Sequence, residues 1–133
     1  MEFMAWFIHK YVMHGILWNL HRDHHQKDHD HWWERNDVFF LFYGLLSAAL
    51  IILPDPEVYW ACAPIGIGIA AYGTVYFIVH DIFIHQRIKW LRNIDNSYAR
   101  GVRRAHKIHH KNRHRKDSEN FGMLVVPMKY FRK

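Results

Sequence analysis

The amino-acid sequence predicts an all-α fold: an integral membrane helical bundle with a cytoplasmic-face helical cap that carries a histidine-rich di-metal site. Three observations predict it. Two uncharged apolar runs, Val38 to Leu53 and Val58 to Val79, are separated only by Pro54-Asp55-Pro56-Glu57. All 18 Lys and Arg lie outside those runs, in the first 35 residues or from Arg87 onward. Ten of the 13 histidines fall into two spacing patterns, each of which occurs twice. At 133 residues, half of them apolar, the chain is expected to form a single domain over 1-133.

Met1 to Leu20 reads as one helix rich in Phe3, Trp6, Phe7, Ile8, Val12 and Met13, interrupted by His9, Lys10 and His14. Its uninterrupted apolar part is too short to span a bilayer. It also lacks the basic start, apolar run and small-residue cleavage site of a secretory signal. His21 to Asp37 is crowded with His, Asp and Arg and contains Trp32-Trp33, so it is expected to face solvent at a membrane surface. Val38 to Leu53 is 16 residues long, a helix of roughly 24 Å and a short span. The two prolines after it force a turn. Val58 to Val79, at 22 residues, is long enough to cross a hydrocarbon layer of about 30 Å. Within it Ala63, Gly66, Ala70 and Gly73 form a small-residue stripe against which a neighbouring helix can pack closely. A soluble helical hairpin buried in a globular core is the alternative. The lone Cys62 has no partner for an intrachain disulfide.

A hairpin returns the chain to the face it left, so His21 to His31 and His80 to His110 are expected on one side. That side carries every Lys and Arg and the far turn holds only Asp55 and Glu57, so the positive-inside rule places the histidines in the cytoplasm. From about Tyr98 to His110 the chain reads as an amphipathic helix, followed by a basic loop and the apolar Phe121 to Pro127.

The histidines form four sets: His9/His14 and His80/His85 at HxxxxH spacing, and His21/His24/His25 and His106/His109/His110 at HxxHH spacing. In an α-helix positions i, i+3 and i+4 fall within roughly a 100° arc, so each HxxHH is expected to converge on one point. Positions five apart differ by about 140°, so an HxxxxH pair faces one small ion poorly but can flank a wider cluster. Two metal ions fit ten imidazoles better than one, with four or five each, and neutral imidazole suits Fe, Zn, Cu or Ni rather than Mg or Ca. Asp81 and Asp23 are candidates to orient ring N–H groups, or else ordinary carboxylates balancing local charge. His29, His31 and His114 lie outside the pattern and are expected to be solvated.

Other chemistry is set aside. Glu2, Glu34, Glu57 and Glu119 never form Glu-x-x-His, which argues against a carboxylate-bridged bundle site. There is no Gly-rich phosphate loop and no nucleophile elbow. The basic segment Arg100 to Lys116 suits cytoplasmic topology and anionic lipid, or an acidic electron-transfer partner; no nucleic-acid module accompanies it, and nucleic acid is not expected as a partner. A non-catalytic zinc-binding membrane protein would need polar groups deep in its spans, and the two runs offer almost none.

The chain resembles the membrane-bound, histidine-rich di-iron fatty acid hydroxylase/sterol desaturase superfamily, and within it the short bacterial β-carotene hydroxylases. Glu2-Phe3-Met4-Ala5-Trp6 running into His9-Lys10-Tyr11-Val12-Met13-His14-Gly15 resembles that enzyme's first motif. Trp18 with His21-Arg22-Asp23-His24-His25, then Glu34-Arg35-Asn36-Asp37, resembles its second. His80-Asp81 to His85-Gln86-Arg87, Ala105 to His110, and Phe121-Gly122-Met123-Leu124 to Pro127 follow in order. The resemblance implies a non-haem di-iron monooxygenase that binds two Fe ions on the ten grouped histidines. It would hydroxylate the β-ionone rings of β-carotene at the 3 and 3′ positions, through β-cryptoxanthin to zeaxanthin, with O₂ and a ferredoxin-type electron donor. It also implies the bacterial inner membrane and contact with its lipid. Phe121 and Leu124 become candidates for contact with the ring, beside apolar residues of the helices. A further apolar stretch before Met1 is implied as well, so helix 1 is expected to be N-terminally truncated. A carotenoid ketolase and a fatty-acyl or sterol hydroxylase or desaturase share such histidine motifs and stay open.

Overall fold

The N-terminal segment is three helical pieces rather than one. In a computed structural model, which describes residues 1–26, 31–115 and 118–132, all regular elements are helical. Helix α1, Glu2–Phe7, widens into a π-helical segment, Ile8–Ile16, and α2, Trp18–His25, follows after a bend. The wide segment closes with Leu17 N–H donating to Val12 C=O at 2.8 Å, five residues back. Gly15 (φ −99°, ψ −112°) and Leu17 (φ −103°, ψ 26°) leave helical geometry, so α2 departs in a new direction. The single helix expected over Met1 to Leu20 would have set His9 and His14 about 140° apart.

The hairpin is formed by α3, Asp37–Ile52, and α4, Cys62–Phe77, which continues into a second π-helical segment, Ile78–Ile84. The second long helix therefore starts four residues later than Val58 and ends five later than Val79. Its start is delayed by the turn. Asp55 C=O accepts from Val58 and Tyr59 N–H at 3.2 and 2.8 Å, and its carboxylate accepts from Glu57 N–H at 2.9 Å, which ties up the first residues of the run. Cys62–Ile84 is 23 residues long and apolar enough to cross a membrane, with 6% of its most apolar stretch buried. At 16 residues α3 is shorter. Of the small-residue stripe only Gly66 is buried. A Cβ there would lie 2.8 Å from Ser47 O and Ile51 Cγ1, and Ser47 Oγ donates to Gly66 C=O at 2.8 Å. Gly73 instead opens on free space, with nothing within 4 Å of such a Cβ.

Helix α5, Ser97–Lys111, starts where the Asn96 side chain accepts from Ala99 N–H at 2.8 Å. Ala99, Val102, Ala105, His106 and His109 form its buried face, while Arg104, Lys107 and Lys111 face outward. A small apolar core joins Val102 and Ala105 to Val126 and Tyr130, with Val79, Ile84 and Phe131 packed against it. Gly101 leaves room for the Phe131 ring, which a Cβ there would strike. Glu2 ties this C-terminal segment to the first helix. Its Oε1 accepts from Met123, Leu124 and Val125 N–H at 2.8, 3.0 and 3.1 Å, and its Oε2 from Tyr72 OH at 2.6 Å.

Candidate metal centre

The first HxxxxH pair rides on one π-helical segment, and the second spans the other, with His85 as its C-terminal cap. There the hydrogen bonds run five residues back, as in His85 N–H to His80 C=O at 2.9 Å, so i and i+5 stack nearly one above the other. The 140° separation expected from α-helical geometry is thereby removed. Each pair delivers both rings to one place: His9 and His14 to one group, His80 and His85 to another.

Neither HxxHH converges on a single point. In α2 the i and i+4 rings, His21 and His25, join His9 and His14, whereas His24 joins His80 and His85. In α5 the assignment is exchanged: His106 and His110 go with His80 and His85, and His109 goes with His9 and His14. The reason is angular. Positions i+3 and i+4 are about 100° apart, so a helix lying between two centres sends one ring to each side. The outcome is two groups of five, each with ligand atoms within 4.8 Å of one another. They abut, since His25 and His110 stack with centroids 4.3 Å apart and planes 10° from parallel.

The ring nitrogens are oriented from outside. In the first group Nδ1 of His9, His109, His25 and His14 donates to the carbonyl oxygens of Phe121 (2.9 Å), Glu119 (2.9 Å), Asn112 (3.2 Å) and Arg115 (3.4 Å). His21 Nδ1 donates to Asn36 Oδ1 at 2.7 Å. In the second group His24 Nδ1 donates to Glu34 Oε2 at 2.8 Å and His80 Nδ1 to Asp81 Oδ2 at 3.1 Å. Because these acceptors take the Nδ1 proton, each neutral ring turns an Nε2 lone pair inward. Yet the inward nitrogens are close: 3.2 Å for His9 and His21, 3.2 Å for His14 and His109, 3.0 Å for His24 and His80. Lone pairs at that range repel unless a cation lies between them. Nε2 of His110 is buried without a hydrogen-bond partner, a second sign that the donor set fits a metal ion.

Burial lowers the pKa of His9, His21, His24, His85, His106, His109 and His110 well below the ordinary 6.5, and neighbouring rings repel further positive charge. His14 and His25 are pushed down by burial to about 4. The rings are thus neutral ligands near neutral pH.

The surroundings of α2 differ from the expectation for His21 to Asp37. His21, Asp23, His24, His25, Glu34 and Asp37 are buried rather than solvent-facing, because the segment folds its polar groups onto α5 and the second π-helical segment. Asp81 holds a ring N–H. Asp23 takes Arg35 N–H at 2.6 Å and lies 3.7 Å from Arg35 Nε. Glu34 belongs to the second motif of the resemblance, but its place behind His24, ten residues away, follows no recognisable spacing. Arg87 braces the same end: Nη1 donates to Asp37 Oδ1 (2.6 Å) and Asp81 Oδ1 (2.9 Å), and Nη2 to Asp37 Oδ2 (2.7 Å). Asp37 Oδ2 also accepts from Glu34 N–H at 3.0 Å. His31 and His114 are exposed, and His29 lies outside the described residues.

An apolar cleft of about 360 Å³ runs from the surface to both groups. Met4, Phe40, Ile69, Tyr72, Gly73, Tyr76 and Phe77 line it, His9 and His80 stand at its inner end, and Trp32, Trp33 and Arg87 also border it. Tyr76 stacks on the His80 ring with centroids 4.9 Å apart. Phe121 and Leu124 do not line this cleft. Phe121 packs edge-on against His9, His14 and His109, and Leu124 C=O accepts from Tyr98 OH at 2.7 Å.

Two abutting all-imidazole groups at the end of an apolar cleft are a combination that comparison with known proteins can test. The sequence matches the fatty acid hydroxylase family over residues 1–131. The chain belongs to that family. Among curated relatives in the family, it is 35% identical over 132 residues to a β-carotene hydroxylase of Paracoccus sp., spanning 96% of this chain and 78% of that protein. It is 36% identical over 127 residues to the β-carotene hydroxylase of Pantoea ananas, spanning 96% and 71%. It is 34% identical over 137 residues to β-carotene 3-hydroxylase 2, chloroplastic, of Arabidopsis thaliana, spanning 96% of this chain and 42% of that protein. No solved structure matches it.

Proposed function

We propose that this member of the fatty acid hydroxylase family is a membrane-bound β-carotene 3-hydroxylase with a non-haem di-iron centre. The observation that carries the reading is the pair of inward-facing imidazole groups at the inner end of an apolar cleft, taken with the printed names of its relatives. His9, His14, His21, His25 and His109 would hold one iron, and His24, His80, His85, His106 and His110 the other. When bound, the irons supply the O₂ activation that an unactivated ring C–H requires. The overall change is one ring C–H, one O₂, two electrons and two protons going to one alcohol and one water, carried out on each ring from β-carotene through β-cryptoxanthin to zeaxanthin.

The chain's own residues do the rest. Tyr72, Tyr76, Phe77, Phe40 and Ile69 give the β-ionone ring an apolar wall, exclude bulk water and bring the ring toward His9 and His80. Nδ1–H bonds to carbonyl, amide and carboxylate acceptors hold seven of the ten imidazoles, those of His9, His14, His21, His24, His25, His80 and His109, in one tautomer and orientation. The α3–α4 hairpin sits in the inner membrane and takes the carotenoid from lipid, since its apolar side chains face outward. The histidine end faces the cytoplasm, where the exposed Arg104, Lys107, Lys111 and Arg113 suit an acidic, ferredoxin-type electron donor.

Pigment chromatography of a β-carotene-producing host expressing the chain is the test. β-Cryptoxanthin and zeaxanthin are expected. Echinenone or canthaxanthin would make it a ketolase, and unchanged β-carotene in cells where the protein is folded and iron-loaded would overturn the carotenoid reading.

A further inference from the structure

The two histidine groups are alike in ligand count and unlike in what stands behind the ligands. Every Nδ1–H of the group formed by His9, His14, His21, His25 and His109 ends on a neutral acceptor, four backbone carbonyls and one amide oxygen. In the other group two of the rings end on carboxylates, His24 on Glu34 and His80 on Asp81. Among the described residues, Asp37 and Asp81 share Arg87 beside the second group. Beside the first, Arg115 Nε donates to His14 C=O at 3.1 Å.

We propose that the two groups are unequal cation sites, the carboxylate-backed one taking its divalent ion first and holding it more tightly, with Glu34 as the positioning residue that makes much of the difference. This rests on the reading of the histidines as metal ligands. A carboxylate accepting the Nδ1 proton draws that proton away from the ring, raises the electron density on Nε2 and locks the ring plane, so the same imidazole becomes a better ligand. An amide or peptide carbonyl does this less, because it carries only a partial charge. Glu34 is 7% exposed, so water does little to weaken its effect on His24.

The experiment is an anaerobic titration of the full metal-free chain in detergent micelles with ⁵⁷Fe²⁺ against a competing chelator, read by Mössbauer spectroscopy. Two binding steps are expected, at least about tenfold apart, with one quadrupole doublet after the first equivalent and a different one added by the second. Glu34→Gln should weaken the first step by about 10–100-fold and leave the second in place. Asn36→Asp puts a carboxylate behind His21, and should tighten the second step and narrow the gap; it decides the matter alone if Glu34→Gln does not fold. Two irons entering in one step with identical doublets, or an Asn36→Asp protein with both steps unmoved, would overturn the inequality while leaving the di-metal reading intact. No iron bound at all removes both.

Discussion

The α3–α4 hairpin and the histidine end of the molecule are built by opposite rules. In the hairpin Phe40, Phe42, Leu45, Ile52, Ile65 and Ile67 point outward, and the buried positions are Asp37, Ser47 and Gly66. At the other end His21, His80, His106 and His109 are 4% exposed or less, deeper than most apolar side chains of the protein. A protein that folds in water alone would reverse both. The hairpin suits a solvent of lipid, where apolar surface costs nothing to expose and burial supplies little, so its helices meet through small residues and a hydroxyl. The histidine end instead concentrates uncharged nitrogen ligands in a dry interior. Such an interior is most stable when each outward N–H has an acceptor and a cation lies between the inward lone pairs.

The largest test of that contrast is removal of a ligand. His24→Ala or His109→Ala should lose one iron per chain and lower hydroxylation by more than the roughly 100-fold typical of losing an outer hydrogen-bond partner, while circular dichroism shows the helices retained. Iron content by plasma emission and product yield check it together. A retained second iron would mean that the five-ring groups are not the units of binding.

Acid is the next lever. His14 and His25 fall from 6.5 in the unfolded chain to about 4 in the folded one, because burial penalises the imidazolium. Below pH 6.5 the unfolded chain therefore binds protons that the folded chain does not, so stability is full above that pH and is lost as pH falls from 6.5 toward 4. The metal-free protein should show this loss in chemical denaturation across that window. Bound metal should move the loss to lower pH, since metal and proton compete for the same nitrogens.

The hairpin yields smaller and separable effects. Gly73→Leu adds a side chain where nothing lies within 4 Å, on the wall of the cleft. It should fold normally, keep both irons and lose activity by up to roughly 10²-fold through misplacement of the ring, which comparison of iron content with turnover will separate. Gly66→Ala presses a methyl against Ser47 O and Ile51 at 2.8 Å and should cost about 1–3 kcal/mol of stability, measured by unfolding in detergent, with little change in turnover per folded molecule. An effect of Gly66→Ala on iron binding would mean that the two ends are mechanically coupled.

That the ten histidines gather in one place was legible from spacing, because helices bring HxxxxH and HxxHH sets together repeatedly. The sharing of them was not. Periodicity for an α-helix set His9 and His14 at odds, and nothing in Ile8 to Ile16 announces that its hydrogen bonds run five residues back. Glu34 and Glu2 stand in the motifs that carry the family resemblance, but spacing gives neither its role. One finds its ring ten residues away across a bend, and the other accepts three N–H groups from residues 123–125, more than a hundred positions downstream. The buried His21, Asp23, His24, His25, Glu34 and Asp37 depart from the solvent-facing segment expected there, because polar groups that satisfy one another can be buried.

What the sequence determined by itself was the division of labour: apolar runs without charge that become a hairpin, basic residues that lie outside those runs, and ten imidazoles grouped in two repeated patterns. These are local properties, set by composition and spacing. Only the tertiary structure decided that each HxxHH is split between two groups and that the two halves exchange their i+3 rings, and which acceptor stands behind each one. Those depend on where α2 and α5 lie relative to each other and to the two π-helical segments, and that placement follows from long-range hydrogen bonds and close contacts that no single segment contains.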